Sequence, residues 1–482
     1  MPSSLIIEQF DPFSISLFAK HIDNSQQQTK KSAPVNPDVC ASDVFIPFSL
    51  LPWAMLLHSG NSQHENSRFD IIVANPIASI CTIDKISTIT DDKGNVYQIE
   101  KDPLLWIKQA VADYLTKQKT NSSLPFLGGA LGCFSYDLGA HYEVLPHQAI
   151  DDMGTPELAV GIYDWAIIKD NHRNIWQFVS HRLTFEQVID NTSKAYKAFL
   201  PKPANFKIND DWVSNLNQAQ YEQRFIQVQE YLKSGDCYQI NLAQRFTNRY
   251  QGNEYQAFKQ LLAANNSPFS AYLNLDNFKV LSVSPERLLH LNDGSIESKP
   301  IKGTIKRVDD TKENQRNIKT LQESVKDRAE NVMIVDLLRN DIGRVSKAGS
   351  VKVPRLFAIE SFPAVHHLVS TVTGELKPQL HSTDLLRAAF PGGSITGAPK
   401  LRAMEIIDEL EPHRRSIYCG SIGYICCSGN MDTSITIRTL LCKDDKIHAW
   451  AGGGIVADST WQSEYQETFA KVDKILPVLV NM

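Results

Sequence analysis

Strand-like and helix-like segments alternate along this chain without a fixed period, and that irregularity restricts its architecture more than any other feature. An apolar stripe at Tyr221, Phe225, Val228 and Leu232 has the spacing of an amphipathic helix, with Gly235 placed as its C-terminal cap. Strand patterns follow at 238–250, 271–275 and 280–284, then a long helix over 317–338. A helix over 398–410, strands over 434–441 and 447–451, and a closing helix over 463–480 complete the run. Neither the self-similarity of a repeat protein nor the simple βα rhythm of a barrel is present. The expected class is α+β.

The region before residue 200 reads mainly as strands, at 69–74, 158–168 and 175–183. Thr184 and Gln187 form a capping-box pattern that should open a helix reaching about Leu200, stopped by Pro201-Lys202-Pro203. The polar stretch 204–217 is the linker candidate, which divides the chain into regions 1–203 and 218–482. At 482 residues the chain exceeds one ordinary core. A net charge of -5 lacks the basic excess of a nucleic-acid or membrane-surface protein. No apolar run approaches the ~20 residues that span a bilayer. Met1-Pro2-Ser3-Ser4 has no signal-peptide character, and the eight cysteines include no Cys-x-x-Cys. A cytoplasmic protein with reduced thiols is expected.

Pro300-Ile301-Lys302-Gly303-Thr304 is either an ordinary strand end or turn, or the seat of a reactive lysine. A lysine amine attacks only when unprotonated, which burial favours, while Gly303 lets backbone approach a ligand and Thr304 offers a hydroxyl. Asp327 with Glu330, and Glu464 with Glu467, are acid pairs at helical spacing, so each pair shares one helix face. They are either solvated acidic faces or, if the faces meet, an oxygen site for Mg²⁺. Gly452-Gly453-Gly454 is either an anion-binding nest of N–H groups or a turn. Arg438, within the apolar run 435–440, would pair with a ligand carboxylate or lie at a wet edge. His366-His367 offers a proton donor or a satisfied core histidine, and Glu286 either shuttles protons or pairs with Arg287. The loop 392–400, with Ser394, is glycine-rich but lacks Walker spacing.

These residues, with Ser234-Gly235-Asp236-Cys237-Tyr238-Gln239, Val335-Asp336-Leu337-Leu338-Arg339-Asn340-Asp341 and the block 394–400, resemble the chorismate-utilising enzyme family over nearly the whole chain. The resemblance implies a four-layer α/β/β/α sandwich of two orthogonally packed sheets, with both regions contributing. It implies Glu330 and Glu467 as Mg²⁺ ligands, with Asp327 and Glu464 acting through water. Gly303, Thr304, Ser394, Tyr418, Arg438, Gly452, Gly453, Gly454 and Lys471 match substrate-binding positions, and His367 rather than His366 matches the histidine near the leaving hydroxyl. Ser59, Asn66, Ser67, Arg68, Phe69, Pro268, Phe269 and Ser270 match a tryptophan pocket.

Within the family, anthranilate synthases usually carry alanine where this chain has Lys302, and aminodeoxychorismate synthases carry lysine. The implied reaction is addition of the Lys302 amine to chorismate, then replacement by ammonia to give 4-amino-4-deoxychorismate, with Glu286 as general acid/base. A separate lyase would complete 4-aminobenzoate for folate synthesis. With no glutamine amidotransferase motif in the chain, ammonia would come from a separate glutaminase subunit. The alternatives are an anthranilate or isochorismate synthase, or a non-catalytic tryptophan-binding homologue.

Overall fold

Side-chain alternation lets one strand serve two cores. In the strand Phe69–Val73, Ile71 and Val73 enter one apolar cluster and Ile72 enters another, as the two-residue period of a strand requires. The strand Lys446–Ile455 divides the same way over its first half, Trp450 against Ile447, Ala449 and Ala451. The computed structural model describes residues 5–18, 39–60, 66–115, 122–198, 205–362 and 365–481. Its strands form two large antiparallel sheets, of 13 and 12 strands.

One cluster draws side chains from both sheets and from the helices Pro103–Tyr114, Val325–Val345 and Ser382–Ala389. The other lies between the 13-stranded sheet and the helices Phe185–Ala198, Glu254–Asn265 and Leu476–Val480. The expected α+β sandwich of two antiparallel sheets with helices is therefore present. Among the described residues, no helix is long and apolar enough to cross a membrane.

Both regions of the sequence supply both sheets. In one, Met55–His58 pairs with Phe269–Asn274; in the other, Gly129–Phe134 pairs with Ser421–Cys426. The chain also changes sheet through very short links. Lys279–Ser284 lies in the larger sheet and Arg287–Asn292 in the smaller, joined by Pro285 and Glu286. Met431–Ile435 returns to the larger sheet at Thr439–Lys443 through Thr436, Ile437 and Arg438.

Several expected elements divide, the strands for the same reason. The strand expected over 158–168 is two strands, Leu158–Tyr163 and Trp165–Asp170, in different sheets and separated at Asp164. The strand over 434–441 breaks at the Arg438 link, so Arg438 stands between strands rather than within one. The helix over 317–338 is two helices, Thr311–Glu323 and Val325–Val345, because the Ser324 hydroxyl accepts the Asp327 N–H at 3.2 Å and starts a new helix. The closing helix is Trp461–Val472 followed by Leu476–Val480.

The Thr184–Gln187 capping box forms as expected, with Thr184 N–H donating to Gln187 Oε1 at 2.9 Å and Gln187 N–H to Thr184 Oγ1 at 3.4 Å. The proline stop at 201–203 lies outside the described residues. Within the polar stretch 204–217, Lys207–Ile208 and Val213–Ser214 pair with the strand Gln239–Gln251.

Candidate active site

Lys302 lies on the strand Ile301–Lys306, paired antiparallel with Val365–Glu375. Ile301 stands opposite Val369 but Thr304 opposite His367, so Lys302 and Gly303 include one extra residue. Such a bulge re-aims a side chain. Gly303 has φ +78°, and a Cβ there would meet Leu321 Cδ1 at 2.8 Å and Asp327 Cγ at 2.9 Å. Only glycine satisfies both the conformation and the space. The bulge turns Lys302 into a cavity of about 610 Å³, where its Nζ lies 3.6 Å from Glu330 Oε2. Lys302 is partly exposed rather than deeply buried.

The two short inter-sheet links supply the next two groups. Glu286 is buried, accepts a 3.4 Å hydrogen bond from Ile301 N–H, and faces the same cavity. Burial pushes its carboxyl up to about 7, against that hydrogen bond and the charges of Lys302, Arg438 and Lys471, which favour the carboxylate. Arg438 adopts φ +52° and also lines the cavity. Burial lowers its pKa, and the nearby Glu286 opposes that shift.

Both acid pairs line the cavity, on the first two turns of Val325–Val345 and Trp461–Val472. Glu330 also pairs with Lys326 at 4.0 Å, and Glu467 with Lys471 at 2.7 Å. Burial raises the pKa of Glu464, with Glu467's charge adding to the shift, although a 2.7 Å hydrogen bond from Ser459 opposes it. Burial also disfavours charge on Glu467, but Lys471 holds its pKa below the usual value. Four oxygen donors with a buried, partly uncompensated acid suit a hard cation by chemistry. Among the described residues, no three His, Cys, Asp or Glu are grouped closely enough to clasp an ion.

The glycine triplet borders the pair Glu464 and Glu467. A Cβ on Gly453 would fall 2.7 Å from Glu464 Oε2, and Gly452 C=O accepts from Lys471 Nζ at 2.6 Å. His367 Nδ1 lies 2.8 Å from Thr304 Oγ1 and faces the cavity. His366 instead meets Ser361 and Asn314, at 2.8 and 2.9 Å, away from it. Tyr418 stacks on Trp450 and, with Ser394, completes the wall. Every residue expected to act on substrate or metal is thus brought to one cavity, except that Gly453 meets it through Glu464.

Sequence reasoning gave no site role to Asn241, Trp450 and Lys326, which also line it, or to Arg415 behind it. Arg415 is fully buried, pairs with Glu411 at 2.6 Å, and donates to Ile395 C=O at 3.0 Å and Asn241 C=O at 2.8 Å. It ties the Ser394 loop to the Asn241 strand. The four-residue spacing of Glu411 and Arg415 was its available signal.

A second cavity, of about 410 Å³, lies around Ser59, Asn66, Arg68, Phe69, Pro268, Phe269 and Ser270. Ser67 is buried and is not part of that wall. The Arg68 guanidinium sits 4.5 Å from the Phe69 ring centre and pairs with Asp170 at 3.0 Å. Arg287, next in sequence to Glu286, sits 5.0 Å from the Phe269 ring and pairs with Asp432 at 2.9 Å.

Over residues 54–477 the chain matches the family described as chorismate binding enzyme. It is 54% identical over 438 residues to aminodeoxychorismate synthase component 1 of Escherichia coli (strain K12), covering 90% of this chain and 95% of that protein. It is 52% identical over 450 residues to the protein of the same name from Klebsiella aerogenes, covering 92% and 97%. The solved anthranilate synthase component I from Streptococcus pneumoniae TIGR4 shares the fold, with a TM-score of 0.73 at 31% identity, covering 86% of this chain and 93% of that one.

Proposed function

The chain belongs to the chorismate binding enzyme family, and we propose that it makes 4-amino-4-deoxychorismate from chorismate and ammonia. The observation that carries this reading is Lys302 on its bulge, turned into the cavity with Glu286 and His367. Greater identity to relatives named for this product than to the solved anthranilate synthase supports it.

The Lys302 amine attacks C2 of the ring; the two ring double bonds shift, and the C4–O bond breaks. Glu286, protonated below about 7, gives the departing hydroxyl its proton, so that water leaves, and His367 orients that hydroxyl. Ammonia then attacks C4, the double bonds shift back, and the C2–N bond to Lys302 breaks, restoring the free amine. The enolpyruvyl group is retained. Arg438, Lys471 and the backbone around Gly452–Gly454 hold the substrate carboxylates. Mg²⁺ would be held by Glu330 and Glu467, with Asp327 and Glu464 acting through water, and would supply positive charge beside a substrate carboxylate. Ammonia would be delivered by a separate glutaminase subunit, the component 1 in the relatives' names supporting such a pairing. The second cavity, with two rings and two arginines on its wall, would take tryptophan.

The test is incubation with chorismate, Mg²⁺ and an ammonium salt, followed by mass spectrometry, for the wild type and Lys302→Ala. Aminodeoxychorismate is expected from the wild type, lost or diverted toward anthranilate in the variant. Anthranilate from the wild type would rule the reading out.

A further inference from the structure

Two sequence blocks, 335–341 and 394–400, meet at a buried ion pair to which the mechanism gives no role. Lys400 Nζ donates to Asp341 Oδ2 at 2.6 Å and to Ala389 C=O at 3.2 Å. The Asp341 side chain is 3% exposed and that of Lys400 18%. Asp341 lies near the end of the helix Val325–Val345, Ala389 closes Ser382–Ala389, and Lys400 opens Lys400–Leu410. One ammonium therefore joins three helices at the foot of the loop 391–399, whose Ser394 lines the lysine cavity.

The rest of the loop is held from the opposite side. Tyr238 N–H donates to Ala398 C=O at 2.7 Å, Asn241 N–H to Thr396 C=O at 2.9 Å, and Arg415 to Ile395 C=O at 3.0 Å. These bonds fix the loop on the side of the strand Gln239–Gln251, away from the helix that carries Asp327 and Glu330. Against that helix the loop has an apolar fit, where a Cβ on Gly393 would meet Leu337 Cδ1 at 3.1 Å, and the Lys400 pair. Apolar contact is non-directional. A buried ion pair holds one geometry, yet adds little net stability over an apolar pair of similar volume.

The reading of the cavity as a chorismate site, on which this inference rests, sets Ser394 against the substrate. We propose that Lys400 and Asp341 are positioning residues, their ion pair fixing the depth at which the Ser394 loop enters the cavity. Glu330 lies on the same helix about 16 Å along the axis from Asp341, so the acids keep their places when the pair is removed.

The test is steady-state kinetics on the full chain with chorismate, Mg²⁺ and an ammonium salt. The variants are Lys400→Met, Lys400→Met combined with Asp341→Leu, and Ser394→Ala in the wild type and in that double variant. Lys400→Met alone strands a buried carboxylate and should lower the melting temperature. Adding Asp341→Leu removes that charge and should return it to within about 3 °C of wild type. The KM for chorismate should nonetheless stay about tenfold above wild type in the double variant, with Mg²⁺ affinity by calorimetry within about twofold. Ser394→Ala should then cost the double variant much less than it costs the wild type, because the loop has already lost that contact. A wild-type chorismate KM in the double variant, a fully additive cost of Ser394→Ala, a matching loss of Mg²⁺ affinity, or a melting temperature that does not recover overturns the inference. Wild-type amination leaves the parent reading intact in each of these cases. A wild type that forms no aminated product overturns both.

Discussion

Glu286 is placed where its carboxyl cannot be fully solvated, and this gives it two measurable properties. Held at about 7 in the fold against a usual 4.5, it adds stability in full below 4.5, and that contribution is lost as pH rises through 7. The difference is on the order of 3 kcal/mol. Glu286→Gln carries no charge at any pH, so its melting temperature relative to wild type should climb from about pH 4.5 to about pH 7 and level off above that; a constant offset across that window would contradict the buried acid. The same substitution should slow adduct formation by roughly 10²–10⁴-fold and remove the falling limb of its pH profile, found at or above 7 in the wild type. The residue types were legible in the sequence, since a lysine beside a glycine and paired acids at helical spacing are local patterns. Lys302 departs from the expectation of burial because the bulge opens it toward the cavity. Asn241 was not legible as a wall residue, because the cavity that a strand residue faces exists only once distant elements are in place.

At the level of elements, the glycine triplet was read as an anion nest or a turn. The structure adds a reason of another kind, because three side chains approach its three Cα atoms: Asn241 at Gly452, Glu464 at Gly453 and Gln239 at Gly454. Gly453→Ala forces a carboxylate oxygen to move from 2.7 Å. It should therefore weaken Mg²⁺ binding about tenfold or more while leaving the strand pairing intact. Calorimetric titration with Mg²⁺ beside circular dichroism checks this; equal affinity with an unchanged fold would remove Glu464 from the metal reading. Element ends were less legible than element types. Ser324, three residues before Asp327, is a helix-start signature, but apolar periodicity on both sides hid it inside one expected helix. The breaks at Asp164 and at Thr436–Arg438 are strand changes between sheets, which no local pattern announces.

For the whole molecule, the expected two-sheet sandwich came from family resemblance rather than from periodicity, which specifies elements but not their distant partners. Each sheet is closed by a seam between regions far apart in sequence: Met55–His58 on Phe269–Asn274, and Gly129–Phe134 on Ser421–Cys426. The polar stretch 204–217 separates the regions along the chain while two of its own segments pair with Gln239–Gln251. Cutting at residue 203 would leave each fragment with two bare strand edges, and Gly129–Phe134 and Ser421–Cys426 are buried along their entire lengths. Bare edges with buried faces favour aggregation over folding. Fragments 1–203 and 204–482, produced separately, should each lack a cooperative thermal transition, and produced together they should recover one. A cooperative transition in either fragment alone would mean that its half of both sheets is stable without the seams, and the chain would then be two folding units rather than one.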